Sequence, residues 1–171
     1  LAAGLICGLA ARLKRRAAQA VLISAVVLLG CVGSALTLGR EWVSEYQQFG
    51  AAEIAAGTYV DQNAPADTVF LTGTQHLNPV ASLAGRQIVC GSSLYVYYHG
   101  KDYYGQAELA RQLYEEPSEA LLARLGVDFV MISPWERSDY AALKEDFYRS
   151  RYPVWYEANG YVIYQVTGPT V

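Results

Sequence analysis

The spacing of apolar positions changes character three times along this chain. From Ala17 to Leu38 no charged residue interrupts a run of Leu, Val, Ile, Ala and Gly. As a helix that run is about 33 Å long, close to the ~30 Å hydrocarbon core of a bilayer. Leu1 to Ala11 is also apolar and reads as the end of a preceding span. Between the two lies Arg12-Leu13-Lys14-Arg15-Arg16. Beyond Leu38 the apolar residues become periodic. Helical spacing is expected over Glu41–Val60, with Ala51, Ala52, Ile54, Ala55 and Tyr59 on the apolar side. Asp61-Gln62-Asn63-Ala64-Pro65-Ala66-Asp67 breaks it. Thr68–Thr72 reads as a buried strand ended by Gly73, and Asn78-Pro79 opens a short helix with Asn78 as its cap. Gln87–Cys90 is a second strand, set between Gly85 and Gly91.

Ser92–Gly105 carries no clear period and is expected to be irregular. Gln106–Glu115 is amphipathic, and Pro117-Ser118-Glu119 starts a helix reaching about Leu125. Gly126 is a natural helix stop before the clearest strand, Val127–Ile132. Pro134-Trp135-Glu136 opens a helix to about Ser150. Val154–Glu157 and Tyr161–Val166 flank Asn159-Gly160, the dipeptide that most strongly signals a tight hairpin. Strands alternating with helices and closed by a hairpin predict an α/β domain in two or three layers. The sheet is expected to be mainly parallel and flanked by helices. The domain, placed over residues 41–168, is preceded by one full transmembrane helix (17–38), a basic loop (12–16) and the end of another span (1–11).

Charge gives this order a direction. All 16 acids lie after Leu38, whereas four of the 13 basic residues sit in the loop ahead of the span. Cationic loops stay in the cytoplasm, so the domain is expected on the extracytoplasmic side of a plasma (inner) membrane, as part of an integral membrane protein. A cleaved signal peptide also shows cations before an apolar run. This run is too long for a signal core, and apolar sequence precedes the cations. Trp42 and Tyr46 suit either an interfacial anchor or an ordinary helix. The acidic domain argues against a nucleic-acid partner, which needs a basic surface. Three cysteines with no CxxC or Cys/His spacing suggest neither a zinc site nor a disulfide within the domain, where Cys90 stands alone.

Chemistry is sparse. Gly73-Thr74-Gln75-His76 follows the first strand, where open α/β sheets take ligands, but it has no GxGxxG or GK[ST] pattern. His76 in that turn is either a ligand contact or a solvated loop residue. Arg86 either pairs with an acid behind Gly85 or grips a phosphate or carboxylate with its planar fork. Tyr95, Tyr97, Tyr98, Tyr103 and Tyr104, with His99, Lys101 and Asp102, suit a surface for sugars or lipid headgroups. They suit equally a loop packed back on its own domain. Glu136, Arg137 and Asp139 at a helix start read as charges complementing its dipole. The candidate substrate-binding residues are therefore His76, Arg86, Tyr97, Tyr98 and His99. No catalytic residue, metal ligand or cofactor motif stands out.

The order of "AAEIAAGTYVDQNAPADTVFLTG", "NPVASLAGRQIVCG", "YYGQAELARQLYEEPSEALLARLGVDFVMISPWE" and "YVIYQV" resembles the C-terminal extracytoplasmic region of polytopic GT-C-class glycosyltransferases. The likeness spans most of residues 51–167 and lies in order and spacing; Gly85, Arg86 and Gly91 fall within it. The resemblance implies a multi-span enzyme moving a sugar from a polyprenyl-phosphate donor to a glycan or lipid acceptor. It puts the catalytic carboxylate in a first extracytoplasmic loop, which these residues do not include. It also leaves room for a divalent metal in the full enzyme. This domain would frame the substrate site. A membrane-tethered binding or assembly module without catalysis is the alternative.

Overall fold

In the computed structural model the described residues are 11–167, together with Gly4 and Gly8. The span end expected over 1–11 lies outside them except at Gly4, Gly8 and Ala11, as does the last position of the expected domain, residue 168. The chain divides into two units, Leu1–Tyr46 and Gln47–Val171.

The first unit is dominated by one helix, α1 (Arg16–Val43), of 28 residues. It is long and apolar enough to cross a membrane, and none of it is buried. Thr37 donates its hydroxyl to the Gly33 carbonyl at 3.0 Å, which satisfies one of the few polar groups on this helix. The helix runs past Leu38 through Arg40, Glu41 and Trp42, because nothing in Gly39–Val43 stops propagation. The helix expected from Glu41 to Val60 is thus divided. Its first residues end α1, and α2 (Ala51–Asn63) begins after a non-helical stretch. Glu53 restarts the helix by accepting the Gly50 amide at 2.6 Å.

The second unit is built on β1 (Val69–Leu71), β2 (Gln87–Ile88), β3 (Phe129–Ile132), β4 (Val154–Ala158) and β5 (Tyr161–Gln165), ordered β2-β1-β3-β5-β4. β1 pairs in parallel with β2 and with β3; β5 is antiparallel to β3 and to β4. The sheet is therefore mixed, not mainly parallel. The physical reason is the hairpin. Asn159 and Gly160 adopt φ of 52° and 83°, the left-handed pair that joins two antiparallel strands tightly. The returning β5, fully buried from Tyr161 to Tyr164, takes the free edge of β3 with Val130 opposite Tyr164.

Alternation along the central strands supplies two cores. Phe70, Phe129, Met131, Tyr161 and Ile163 face Ala56, Val60 and Ala64 of the α2 region and Val80 of α3 (Pro79–Ser82). Leu71, Val130, Ile132, Val162 and Tyr164 face the opposite side. There they meet Ala110, Leu113 and Tyr114 of α5 (Tyr103–Glu115), Leu121 and Leu122 of α6 (Glu119–Arg124), and Tyr148 of α8 (Glu145–Arg151). Side chains two apart share a face, so each strand serves both cores and the unit has three layers.

Two further expectations change. Ser92–Gly105 is not irregular throughout: Ser93–Tyr98 forms α4, and α5 starts at Tyr103, where Asp102 accepts the Gly105 amide at 3.0 Å. The single helix expected from Pro134 to Ser150 is α7 (Pro134–Asp139) and α8, parted at Tyr140–Lys144. Tertiary contacts impose that break. Tyr140 stacks on Tyr114 with ring centres 4.5 Å apart, and the Lys144 amide donates to the Tyr114 carbonyl at 2.9 Å.

Candidate functional site

The carboxyl ends of β1 and β3 lie side by side, and the chain leaves them in different directions. After β1 the connection runs through α3 to β2 on one side; β3, on the other side, runs into α7. Open α/β sheets hold ligands at such a divergence. Two loops form this edge, Gly73–Leu77 and Ser133–Glu136.

Ser133-Pro134-Trp135-Glu136 is a helix start in which Ser133 caps and Glu136 reaches back. Glu136 accepts the Ser133 amide at 2.8 Å and the Ser133 hydroxyl with the same oxygen. Its other oxygen accepts the Gly73 amide from the neighbouring loop at 2.7 Å, with the Gln75 side-chain amide at 3.4 Å. Glu136 is completely buried. Its place in the first turn of α7 fits the dipole-complementing charge expected of it, and its burial adds a second role: the carboxylate fills the place where a bound anion would meet the strand-end amide. Gly73 leaves room for it, since a Cβ there would lie 2.7 Å from the Glu136 oxygen and closer still to Gln75. Asn78 secures the other end of the loop. It donates to the Thr72 hydroxyl at 2.7 Å and the Gly73 carbonyl at 3.3 Å, and accepts the Val80 amide at 3.0 Å. Burial first, and the Glu136 charge second, hold the phenols of Tyr114 and Tyr140 above the usual tyrosine range.

Beside this closed edge a hollow of about 410 Å³ is lined by Gln47, Gln48, Glu53, Gln75, His76 and Trp135, among others. Trp135 is 50% exposed, and its indole N–H donates to Glu53 at 3.4 Å. His76 stacks on Tyr95 of α4, ring centres 5.0 Å apart, with the phenol oxygen 3.5 Å from Nε2. The first-strand loop and the tyrosine-rich segment therefore meet.

The remaining candidates lie apart. Tyr97 and Tyr98, both exposed and packed edge to face, line a separate 220 Å³ hollow with Leu94, Tyr103 and Tyr104. His99 is exposed at the end of α4. Arg86 belongs to neither hollow. Its guanidinium donates to the carbonyls of Ala64 at 2.9 Å and Asp61 at 2.9 Å and to that of Ala84, with the Asp61 carboxylate 3.6 Å away. That matches the structural alternative weighed for it, with Gly85 at φ 63° turning the chain just before. Among the described residues no group of three or more His, Cys, Asp or Glu is placed to hold a metal ion.

The sequence places Gln75 and His76 in the β1 loop, but it marks neither Glu53 nor Trp135 as a site residue. The Ser-x-x-Glu spacing directly after a strand is the one local signal for Glu136. Nothing local marks the hollow, whose lining comes from three separate stretches of chain. Two tyrosines outside the rich segment are core residues: Tyr114 donates to the Met131 carbonyl at 2.7 Å and Tyr148 to that of Leu113 at 2.6 Å. Set against known proteins, the chain matches no family model and no curated protein.

Proposed function

We propose that this chain is the extracytoplasmic α/β part of a GT-C-class glycosyltransferase of the plasma (inner) membrane, framing a polyprenyl-phosphate-linked sugar and its acceptor. The observation that carries the reading is the pairing, in one chain, of an unburied membrane-length helix with α4, which holds Tyr95, Tyr97 and Tyr98 at 57%, 64% and 78% exposure. Aromatic rings with polar tips suit sugar faces and lipid headgroups, and an acidic domain behind a cationic loop suits the far side of the membrane. His76 and His99 flank the aromatic surface. The order of elements adds the family likeness. The test is photo-crosslinking from position 97 or 98, carrying a benzophenone side chain, in inner-membrane vesicles supplied with a radiolabelled polyprenyl-phosphate sugar. Labelling well above that from position 155 is expected. Equal labelling at all three positions would remove the reading.

The second reading is a membrane-tethered binding module without catalysis. One observation favours it: the only fully buried acid among the described residues, Glu136, is consumed by hydrogen bonds inside the fold. Transfer activity in membranes that depends on this protein would exclude it.

A further inference from the structure

We infer that the hollow beside Trp135 binds an uncharged sugar ring, and hence takes the glycan acceptor and not the phosphate-bearing donor. The choice between acceptor and donor rests on the glycosyltransferase reading above; sugar binding itself does not. Four features point to this ligand. First, a large indole is kept half exposed, while Glu53 fixes its N–H edge and is itself held by the Gly50 amide at 2.6 Å. A rigid, accessible aromatic surface is what the C–H face of a pyranose packs against, at small entropic cost. Second, Gln47, Gln48 and Gln75 bring carboxamides, each with a donor and an acceptor for vicinal hydroxyls. Third, the Gln75 side chain is held in place, its amide donating to the buried Glu136 at 3.4 Å. A carboxamide fixed in this way loses little entropy when a ligand engages it. Fourth, the volume of about 410 Å³ falls within the roughly 300–1,000 Å³ of small-molecule sites.

The same residues disfavour a phosphate. No lysine or arginine lines the hollow, and Glu53 adds a negative charge. The backbone donor that would otherwise meet an anion at this strand end, the Gly73 amide, is already given to Glu136. An anion there would face repulsion from Glu53 with no lysine or arginine to offset it.

The experiment uses the full chain in a detergent without a sugar headgroup. Methyl glycosides of glucose, galactose, mannose and arabinose, and the corresponding sugar 1-phosphates, are titrated by saturation-transfer NMR and tryptophan emission. At least one neutral glycoside is expected to saturate in the millimolar range, with its 1-phosphate weaker. Trp135→Ala and Gln75→Ala are expected to weaken binding at least tenfold while retaining the parent's cooperative thermal unfolding. If Trp135→Ala fails to fold, His76→Ala, altered at an exposed side chain, is expected to weaken binding severalfold. No saturation by any neutral glycoside up to about 50 mM overturns the inference. So does tighter binding of a sugar phosphate, or unchanged affinity in these variants. Sugar binding that depends on Trp135, in a protein whose membranes show no transfer, would end the enzyme reading and leave this one standing. Transfer without sugar binding at the hollow would do the reverse.

Discussion

Replacing Glu136 with alanine distinguishes a carboxylate that holds the fold from one kept for chemistry. The change strips the acceptor from two backbone amides, Gly73 at 2.7 Å and Ser133 at 2.8 Å, and from the Ser133 hydroxyl. A buried donor left unpaired costs about 1–3 kcal/mol, so two of them cost about 2–6 kcal/mol. Releasing a carboxylate from a fully buried position offsets part of this. The net expectation is a loss of about 2–4 kcal/mol. At about 4 °C per kcal/mol for a domain of this size, Tm should fall by roughly 8–16 °C. Glu136→Gln keeps the volume and one acceptor but turns an NH2 toward a donor, so it should fall between alanine and the parent. The assay is thermal unfolding of the full chain in detergent, followed by the combined emission of Trp135 and Trp155 in a Trp42→Phe background. A carboxylate retained for function at the expense of stability behaves oppositely: its removal leaves Tm unchanged or raises it. A Tm for Glu136→Ala within about 3 °C of the parent, or above it, would refute the structural role.

Three other outcomes follow from contacts described above. Arg86→Ala removes the donors holding the Asp61, Ala64 and Ala84 carbonyls and should cost about 2 kcal/mol in the same melt; Arg86→Lys should recover less than half, because an ammonium cannot reproduce the planar fork. A neutral Arg86→Ala would show that these bonds do not hold the α2 end to β2. Burial holds the phenols of Tyr114, Tyr140, Tyr148 and Tyr161 up and pushes Tyr164 up to about 12, with Glu145 adding to the shift at Tyr164. An unfolded tyrosine ionises near pH ~10, so the stability from these groups is complete below that pH and is lost as pH rises through the folded values. The denaturation midpoint should decline above pH ~10, and a flat profile from about 9.5 to 11.5 would contradict it. Burial likewise pushes the Cys90 thiol up to about 11. In a Cys7→Ser, Cys31→Ser background at pH ~8, iodoacetamide should label it only after unfolding, and rapid native labelling would count against its burial.

Much of the domain was legible in short stretches of sequence because the causes were short-range. Asn78-Pro79 caps and opens α3 as its residue types require, the Asn78 side chain accepting the Val80 amide at 3.0 Å. Ser118 begins α6, Gly126 stops it at φ 63°, and Asn159-Gly160 makes the hairpin. The apolar run through Leu38 is a helix for the same kind of reason. The candidate site was legible only in part. The loop after β1 could be placed at a sheet edge, and His76 with it. Trp135 could not be joined to it, because the two loops meet only once β1 and β3 pair.

What the sequence determined by itself is whatever a few neighbouring residues decide through capping, fixed φ, side-chain period and the length of an apolar run. Tertiary structure decided the rest. β5 takes the edge of β3, making the sheet mixed, because burial of Tyr161–Tyr164 on two faces outweighs any local preference for direction. The helix after Pro134 breaks at Tyr140 because Tyr114 offers a stacking partner and a carbonyl. Glu136 becomes a buried acceptor because the Gly73 amide, 63 residues away in the chain, arrives beside it unpaired. Such partners are chosen by distance in space, and hydrogen bonds and packing operate over a few ångströms whatever the separation along the chain.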